Sequence, residues 1–474
     1  MSSSMSDPLR NLPSVDAILR RTEPVWKASA VPRRVVLQAV RAAVDQARKL
    51  VASGQDLPSD KESLERQIVD QVHRRLRTAA SPHYRKVINA TGIILHTALG
   101  RAVLPAPALR QIQDELAGYS LVQVDADTGK RSKRDERIEW LLQQLTGAEA
   151  ATVVNNNAAA TVVVLNTAAA GREVIVSRGQ LVEIGGSFRL PDVMAMAGVK
   201  LVEVGTTNKT HLRDYQQAIT ENTAAILRVH PSNYKISGFT AEVPLAPLVQ
   251  LGRRHGLLVI DDVGAGPLVD FSQFGFQPEP TLPESVRHGA DLITSSADKL
   301  IGGPQGGIIL GRAPLIQAVR KNPLVRILRP GKLTLAALEA TLTLFLDEPR
   351  ALGEVPTLQL LRRSLAELDE QARRIAQAVV ARVPEARVNV VAGGSQMGSG
   401  SLPTQDLPTR LLSVTAAHVS PNELARRLRQ LTPPVFVRIH KDQLLLDPRT
   451  LLEDEEIVLV ESLVTALTAR EETR

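Results

Sequence analysis

Lys299 stands in the run Thr294-Ser295-Ser296-Ala297-Asp298-Lys299-Leu300-Ile301-Gly302-Gly303, where an apolar strand ends in small hydroxyl residues and enters a glycine-rich turn. A lysine attacks an aldehyde only as the neutral amine, a form that a partly desolvated strand end favours. Ser295 and Ser296 are placed to reach a phosphate, and the glycines let backbone approach a ligand closely. Most lysines beside turns are solvated surface groups; the flanking pattern sets this one apart. A second feature is Val259-Ile260-Asp261-Asp262-Val263-Gly264, an apolar strand ending in carboxylates. An aspartate there suits the proton on a pyridinium nitrogen, or alternatively a metal or a ribose. A third is Val153-Val154-Asn155-Asn156-Asn157-Ala158, a strand leading through a polar turn into a helix. Asn155, Asn156 and Asn157 fit either a phosphate at a helix N-terminus or a plain asparagine cap.

Taken in chain order, these are a phosphate seat, an acid for a ring nitrogen and an amine for an aldehyde. That is the layout of a site for pyridoxal 5'-phosphate in Schiff-base linkage to Lys299. No GxxxxGK[ST] or GxGxxG run competes with it. The histidines show no HExxH-type spacing, so no metal site is expected. Arg101 precedes the first helix of this region, and Arg326 and Arg329 follow the lysine strand, three residues apart, a spacing that could put them on one helix face. Arginines in such positions suit phosphate or carboxylate, although ordinary surface pairing is the alternative.

The elements that must position these residues are legible as β-branched runs separated by helical stretches: 151–154, 173–176, 200–204, 224–229, 257–262, 291–294 and 307–310. Such alternation predicts an α/β domain with a mostly parallel sheet covered on both faces, and ligands beyond the carboxyl ends of its strands. Beyond about residue 340 follow a helix over 358–383, strands at 388–391, 411–414, 435–439 and 443–446, a helix over 421–431, and a Gly/Ser-rich loop at 393–400. This predicts a smaller α+β domain. Residues 1–80 read as helical, with Val36, Val40, Val44 and Ala47, then Leu64, Ile68, Val72 and Leu76, at helical spacing. Pro32 starts one helix, Gly54 ends it, and Ser59 to Glu62 form a capping box for the next. The expected division is 1–80, 81–335 and 336–474.

The chain has 474 residues, 43% apolar and only 3% aromatic, so its cores must be built from Ala, Val, Leu and Ile. It contains no cysteine, which excludes disulfides, thiolate metal sites and cysteine nucleophiles. No apolar run is long enough to span a membrane and the polar start lacks a signal-peptide core, so a soluble, cytoplasmic protein is expected. Residues 1–90 hold 16 Lys/Arg and 9 Asp/Glu, against 41 of each in the remainder, so the whole net charge of +7 sits in the first fifth. A polyanionic partner for that region is one reading, and a solvated basic helix face the other.

Several longer stretches resemble the bacterial L-seryl-tRNA(Sec) selenium transferase family, also called selenocysteine synthases. These are Asn89-Ala90-Thr91-Gly92-Ile93-Ile94-Leu95-His96-Thr97, Gly147-Ala148-Glu149-Ala150, the run from Ser177 to Arg189, Glu203-Val204-Gly205-Thr206-Thr207-Asn208-Lys209-Thr210, Asp298-Lys299, and Leu445-Leu446-Asp447-Pro448-Arg449-Thr450. The resemblance covers essentially the whole chain. It implies an aspartate-aminotransferase-like (fold type I) large domain, a small C-terminal domain and a helical N-terminal domain that binds tRNA. It also implies a homo-oligomer, a ring of dimers amounting to a decamer, with active sites between subunits. Lys299 resembles the family's cofactor lysine, Asp298 the neighbouring catalytic aspartate and Asp262 the aspartate of its Asp-Leu-Gly-Ser-Gly stretch, with Asp261 adjacent. Arg101, Arg326 and Arg329 match arginines that hold the selenium donor. Ala98, Ala265 and Ser132 depart from the family's usual asparagine, serine and glycine, and none removes a reacting group.

The activity so implied is conversion of seryl-tRNA(Sec) to selenocysteyl-tRNA(Sec) by loss of water and addition of selenium from selenophosphate. The rival expectation is a small-molecule lyase on the same scaffold, which needs Lys299 and Asp262 but no basic N-terminal domain. A catalytically dead RNA-binding scaffold is disfavoured by the intact Asp298-Lys299 pair.

Overall fold

The computed structural model describes residues 12–27, 31–53, 60–80, 82–186 and 188–469. The chain forms two compact units, Met1–Lys86 and Val87–Arg474.

In the first unit, helices α1 (Val15–Lys27), α2 (Arg33–Ala52) and α3 (Lys61–Ala80) pack through Ile18, Val36, Val40, Val44, Leu64, Ile68, Val72 and Leu76. These apolar side chains recur every three to four residues, which gives each helix one face to bury. Pro32 immediately precedes α2. Gly54 and Ser59, expected to end α2 and cap α3, lie outside the described residues; Asp60 caps α3, accepting from the Ser63 amide at 2.8 Å. Arg21, Lys27, Arg48 and Arg66 pair with carboxylates. Among the described residues, none lies at ion-pair distance from the exposed Arg74, Arg75 and Arg77.

The second unit is built on a seven-stranded sheet of β1 (Ala150–Val154), β2 (Glu173–Ser177), β3 (Lys200–Val204), β4 (Thr223–Val229), β5 (Leu258–Gly264), β6 (Leu292–Ser296) and β7 (Gly307–Gly311). All seven strands lie within a residue or two of the expected positions. Their spatial order is β1-β7-β6-β5-β4-β2-β3, and β7 alone runs antiparallel to its neighbours. Alternation along each strand sends Val153, Ile175, Ile226, Val259, Ile293 and Ile308 into one core and Val154, Val174, Leu227, Ile260, Leu292 and Ile309 into the other. Both faces are covered, so the runs are apolar throughout.

A four-stranded antiparallel sheet of β8 (Arg387–Ser395), β9 (Leu407–Thr415), β10 (Arg438–His440) and β11 (Gln443–Leu446) forms the smaller part, in the order β8-β9-β11-β10. Three local expectations are corrected. The helix expected over 358–383 is two helices, Pro356–Arg362 and Leu365–Arg382, because Ser364 opens a new capping box with Glu367. The loop expected from Gly393 begins after Ser395, since Gly393 and Gly394 lie in β8, where a side chain at 393 would collide with Leu411. The strand expected over 435–439 breaks into Val435–Phe436 and β10.

Two packing observations bear on the domain edges expected near 81 and 336. Ile88–Asn89 pairs in parallel with Val435–Phe436, and Ile88 and Ala90 are buried with Leu412, Val435 and Leu446 of the smaller part. Leu335, Leu338, Leu342, Leu358 and Leu361 belong to the core of the large sheet. We therefore propose that the large part extends to about residue 362.

Candidate active site

β6 delivers Lys299 into a turn closed by its own backbone. The Ala297 amide donates to Gly306 O at 2.9 Å, Gly302 to Lys299 O at 3.0 Å and Gly303 to Ala297 O at 2.9 Å. Gly302 adopts φ +76°, a conformation that glycine enters without steric cost. Lys299 is 6% exposed. Burial, reinforced by the Arg101 guanidinium, holds its amine below the usual lysine range, against the opposing pull of Asp298 and Asp262. Arg101 Nη1 lies 2.8 Å from Asp298 Oδ2. Its own backbone sits at φ +63° after Gly100 at φ +98°. A non-glycine residue in this left-handed region costs on the order of 1–2 kcal/mol, a strain located at the residue that grips Asp298.

The adjacent aspartates on β5 point to opposite faces. Asp261 is fully buried in a structural pair, with Arg228 Nη1 at 2.8 Å and the Ser285 hydroxyl donating at 2.7 Å. Asp262 accepts from Asn157 Nδ2 at 2.9 Å, Thr161 Oγ1 at 3.1 Å and the Gly264 amide at 3.1 Å. Burial nevertheless pushes its carboxyl above the usual range. A buried carboxylate positioned by donors but without a cationic partner suits a protonated ring nitrogen. A nearby polar atom remains unused: among the described residues, Asn157 Oδ1 is buried without a partner. These residues fit pyridoxal phosphate, with Asp262 at the ring nitrogen and Lys299 at the aldehyde.

The three asparagines divide their roles. Asn156 is the N-cap of the helix Asn157–Ala169, accepting from the Ala159 amide at 2.8 Å. Asn157 positions Asp262, and Asn155 is exposed at the strand end. Only the helix N-terminus itself and Asn155 are left to meet a phosphate. Ser296 is buried at the last position of β6. Register aligns the two turns: Gly307 of β7 faces Val154 on one side and Ser296 on the other. Two strand spacings, roughly 10 Å, therefore separate the asparagine turn from the lysine strand.

The three expected arginines do not meet within one chain. Arg101 lies at Asp298, whereas Arg326 and Arg329 line a cavity of about 400 Å³ with Arg131 and Arg134, and neither Lys299 nor Asp298 is in its wall. Burial and then Arg329, Arg326 and Arg131 depress the Arg134 guanidinium below the usual arginine range. Its Nε is buried without a partner. The carboxylate in the wall, Asp135, is engaged by Thr152 at 2.6 Å and Arg320 at 3.2 Å. Clustered guanidiniums whose one neighbouring acid is already engaged suit an anion.

Sequence reasoning missed the weight of Arg134, and it missed His230. That imidazole lies 2.7 Å from Glu279 Oε2, and the His230 amide donates to Asp262 O at 2.9 Å. Its signal was available, because it directly follows β4, where strand ends place functional groups. His96, on the Arg101 turn, has a buried Nδ1 without a partner, and desolvation holds its ring below the usual histidine range.

The strand order, with a lysine after β6 and an aspartate on β5, defines the large domain of the pyridoxal-phosphate enzymes of aspartate-aminotransferase type. A solved structure of D-glucosaminate-6-phosphate ammonia-lyase shares this fold at 21% identity and a TM-score of 0.55, over 81% of this chain and 96% of that one. The family model of L-seryl-tRNA selenium transferase matches residues 87–452, and that of the selenocysteine synthase N terminal matches residues 9–48. The L-seryl-tRNA(Sec) selenium transferase of Geobacter metallireducens is 46% identical over 96% of this chain and 98% of its own. That of Solidesulfovibrio magneticus is 48% identical over 95% of this chain and 96% of its own. The chain belongs to the L-seryl-tRNA selenium transferase family.

Proposed function

We propose that this protein converts seryl-tRNA(Sec) to selenocysteyl-tRNA(Sec), using pyridoxal phosphate and selenophosphate, in the cytoplasm and as a homo-oligomer. The observation that carries the reading is the buried Lys299 facing Arg101-bound Asp298 and Asp262, in a chain of this family. Bound at this site, the cofactor supplies an aldehyde for amines and a ring that takes up the electron pair released at Cα.

The chain's own residues do the rest. Lys299, its amine held below the usual lysine range by burial, takes the Cα proton of the seryl group. Asp262 holds a proton at the ring nitrogen. Asp298, oriented by Arg101, stands beside the lysine as the carboxyl group nearest to the proton traffic. The seryl β-hydroxyl leaves as water with the proton taken from Cα; selenium of the donor's Se–H group then bonds to the β-carbon while its proton returns to Cα through Lys299. Water then cleaves the Se–P bond, releasing phosphate. Arg326, Arg329 and Arg134 neutralise the phosphoryl group of the donor. No membrane-crossing helix occurs among the described residues.

Because the Arg326 cavity and Lys299 do not share a wall within one chain, we propose that a neighbouring subunit brings the two together, as in a ring of dimers. The helical N-terminal unit, where Arg74, Arg75 and Arg77 have no acidic partner among the described residues, supports contact with the tRNA backbone. The test is product analysis with a Lys299→Ala variant. Wild type releases water from seryl-tRNA(Sec) and the variant does not; a variant that still releases water sinks the scheme.

A further inference from the structure

One motif is not used by this chemistry: Thr206-Thr207-Asn208-Lys209-Thr210, just beyond β3. It forms one wall of a separate cavity of about 320 Å³ at the carboxyl edge of the sheet. Ser177 at the end of β2 and His230 at the end of β4 reach the same cavity. β4 lies two strands from the lysine strand, roughly 10 Å away. The size is that of a small-molecule site, yet the cavity holds neither Lys299 nor the arginine cluster.

Its chemistry is that of a nucleotide seat. Phe239, outside the wall but next to Thr240 of it, is 87% exposed, an unusual position for a phenylalanine. Asn208 Nδ2 donates to the Phe239 carbonyl at 2.6 Å, and Lys209 Nζ lies 5.7 Å from the ring centroid. Lys209 has no carboxylate at ion-pair distance among the described residues, and Lys235 is met by a neutral partner, Gln277 Oε1, at 3.0 Å. The acids in the wall are already engaged, Glu279 by His230 at 2.7 Å and Glu242 by Gln180 at 3.3 Å. An exposed ring beside lysines with no carboxylate partner among the described residues is an arrangement that suits a stacked base and its phosphate.

We propose that this cavity seats the 3'-terminal adenosine of the aminoacyl-tRNA, with Phe239 stacking on the base and Lys209 and Lys235 meeting the adjoining phosphates. The inference rests on the function proposed above: the seryl group is esterified to that nucleoside, so the nucleoside must lie within a short reach of Lys299. A free amino acid would leave the cavity without an occupant.

The experiment measures binding of the full-length protein to tRNA(Sec) ending in CCA and to the same tRNA trimmed to CC. Wild type is expected to prefer the complete end by about tenfold, the lower part of the range for one stacked base. In Phe239→Ala the preference collapses to near unity while affinity for the trimmed tRNA is unchanged. Lys209→Gln with Lys235→Gln weakens binding of the complete tRNA several-fold. A Phe239→Ala variant that keeps the preference overturns the proposal, as does a wild type without one. A smaller assembly in light scattering of Phe239→Ala also overturns it, marking the ring as a contact between copies. A wild type that binds neither tRNA brings down the proposed function itself.

Discussion

The turn around Lys299 and the cavity around Arg134 both concentrate charge, and they resolve it in opposite ways. At the lysine turn the chain supplies its own partners: Arg101 holds Asp298 at 2.8 Å, and Asn157, Thr161 and Gly264 hold Asp262. In the arginine cavity Arg131, Arg134, Arg326 and Arg329 face one another, and Asp135 is committed to Arg320 and Thr152. Groups that move protons must be held in one geometry through a reaction cycle, so their contacts are internal. Groups that receive and release an ion are left without counter-charge, so the ion itself completes the site.

The largest expected effect falls on the lysine turn: Lys299→Ala should lower turnover by about 10³-fold or more, measured as selenocysteyl-tRNA formed. The neighbouring aspartates separate chemistry from scaffold. Asp262→Asn should cut turnover by roughly 10²-fold with little loss of fold. Asp261→Ala should instead cost about 3 kcal/mol in denaturant unfolding, because the buried Arg228 is left with only the more exposed Glu242 at 4.0 Å. Equal effects at the two positions would erase the distinction.

Arg134→Gln should raise the KM for selenophosphate about tenfold, the loss of one charge-assisted contact. The same variant should unfold at a slightly higher temperature without anion, since a repulsion is removed, and gain less from added phosphate. A variant destabilised without anion would mean that Arg134 is structural.

A smaller effect concerns pH. Lys299 must be neutral to take up the cofactor, and Arg101 helps depress its pKa. Cofactor uptake by the cofactor-free protein should rise with pH through the lysine's pKa. Arg101→Gln removes a cation and raises that pKa, so the rise moves to higher pH; a shift to lower pH would contradict the assignment. In the N-terminal unit, replacing Arg74, Arg75 and Arg77 by glutamine should reduce the salt-dependence slope of tRNA binding by roughly two to three. Turnover at saturating tRNA should not change.

What was legible in the sequence was local. The seven strands of the large sheet show as short β-branched runs because both faces are buried, and Lys299 and Asp262 show because they stand at strand ends. What was hidden depends on distant segments meeting. The pairing of Ile88–Asn89 with Val435–Phe436 has no local pattern. Arg134 gains its meaning from burial and from Arg326 and Arg329, nearly two hundred positions later. Even Asn156 could be settled only by geometry, since a cap and a phosphate contact draw on the same residue type.

The most direct measurement is the visible spectrum of the cofactor-loaded protein during titration with seryl-tRNA(Sec), with free serine as control. The account predicts a shift of the cofactor band with the tRNA and none with serine. A band that responds to free serine or another small amine, and not to the tRNA, would contradict it and identify a small-molecule lyase.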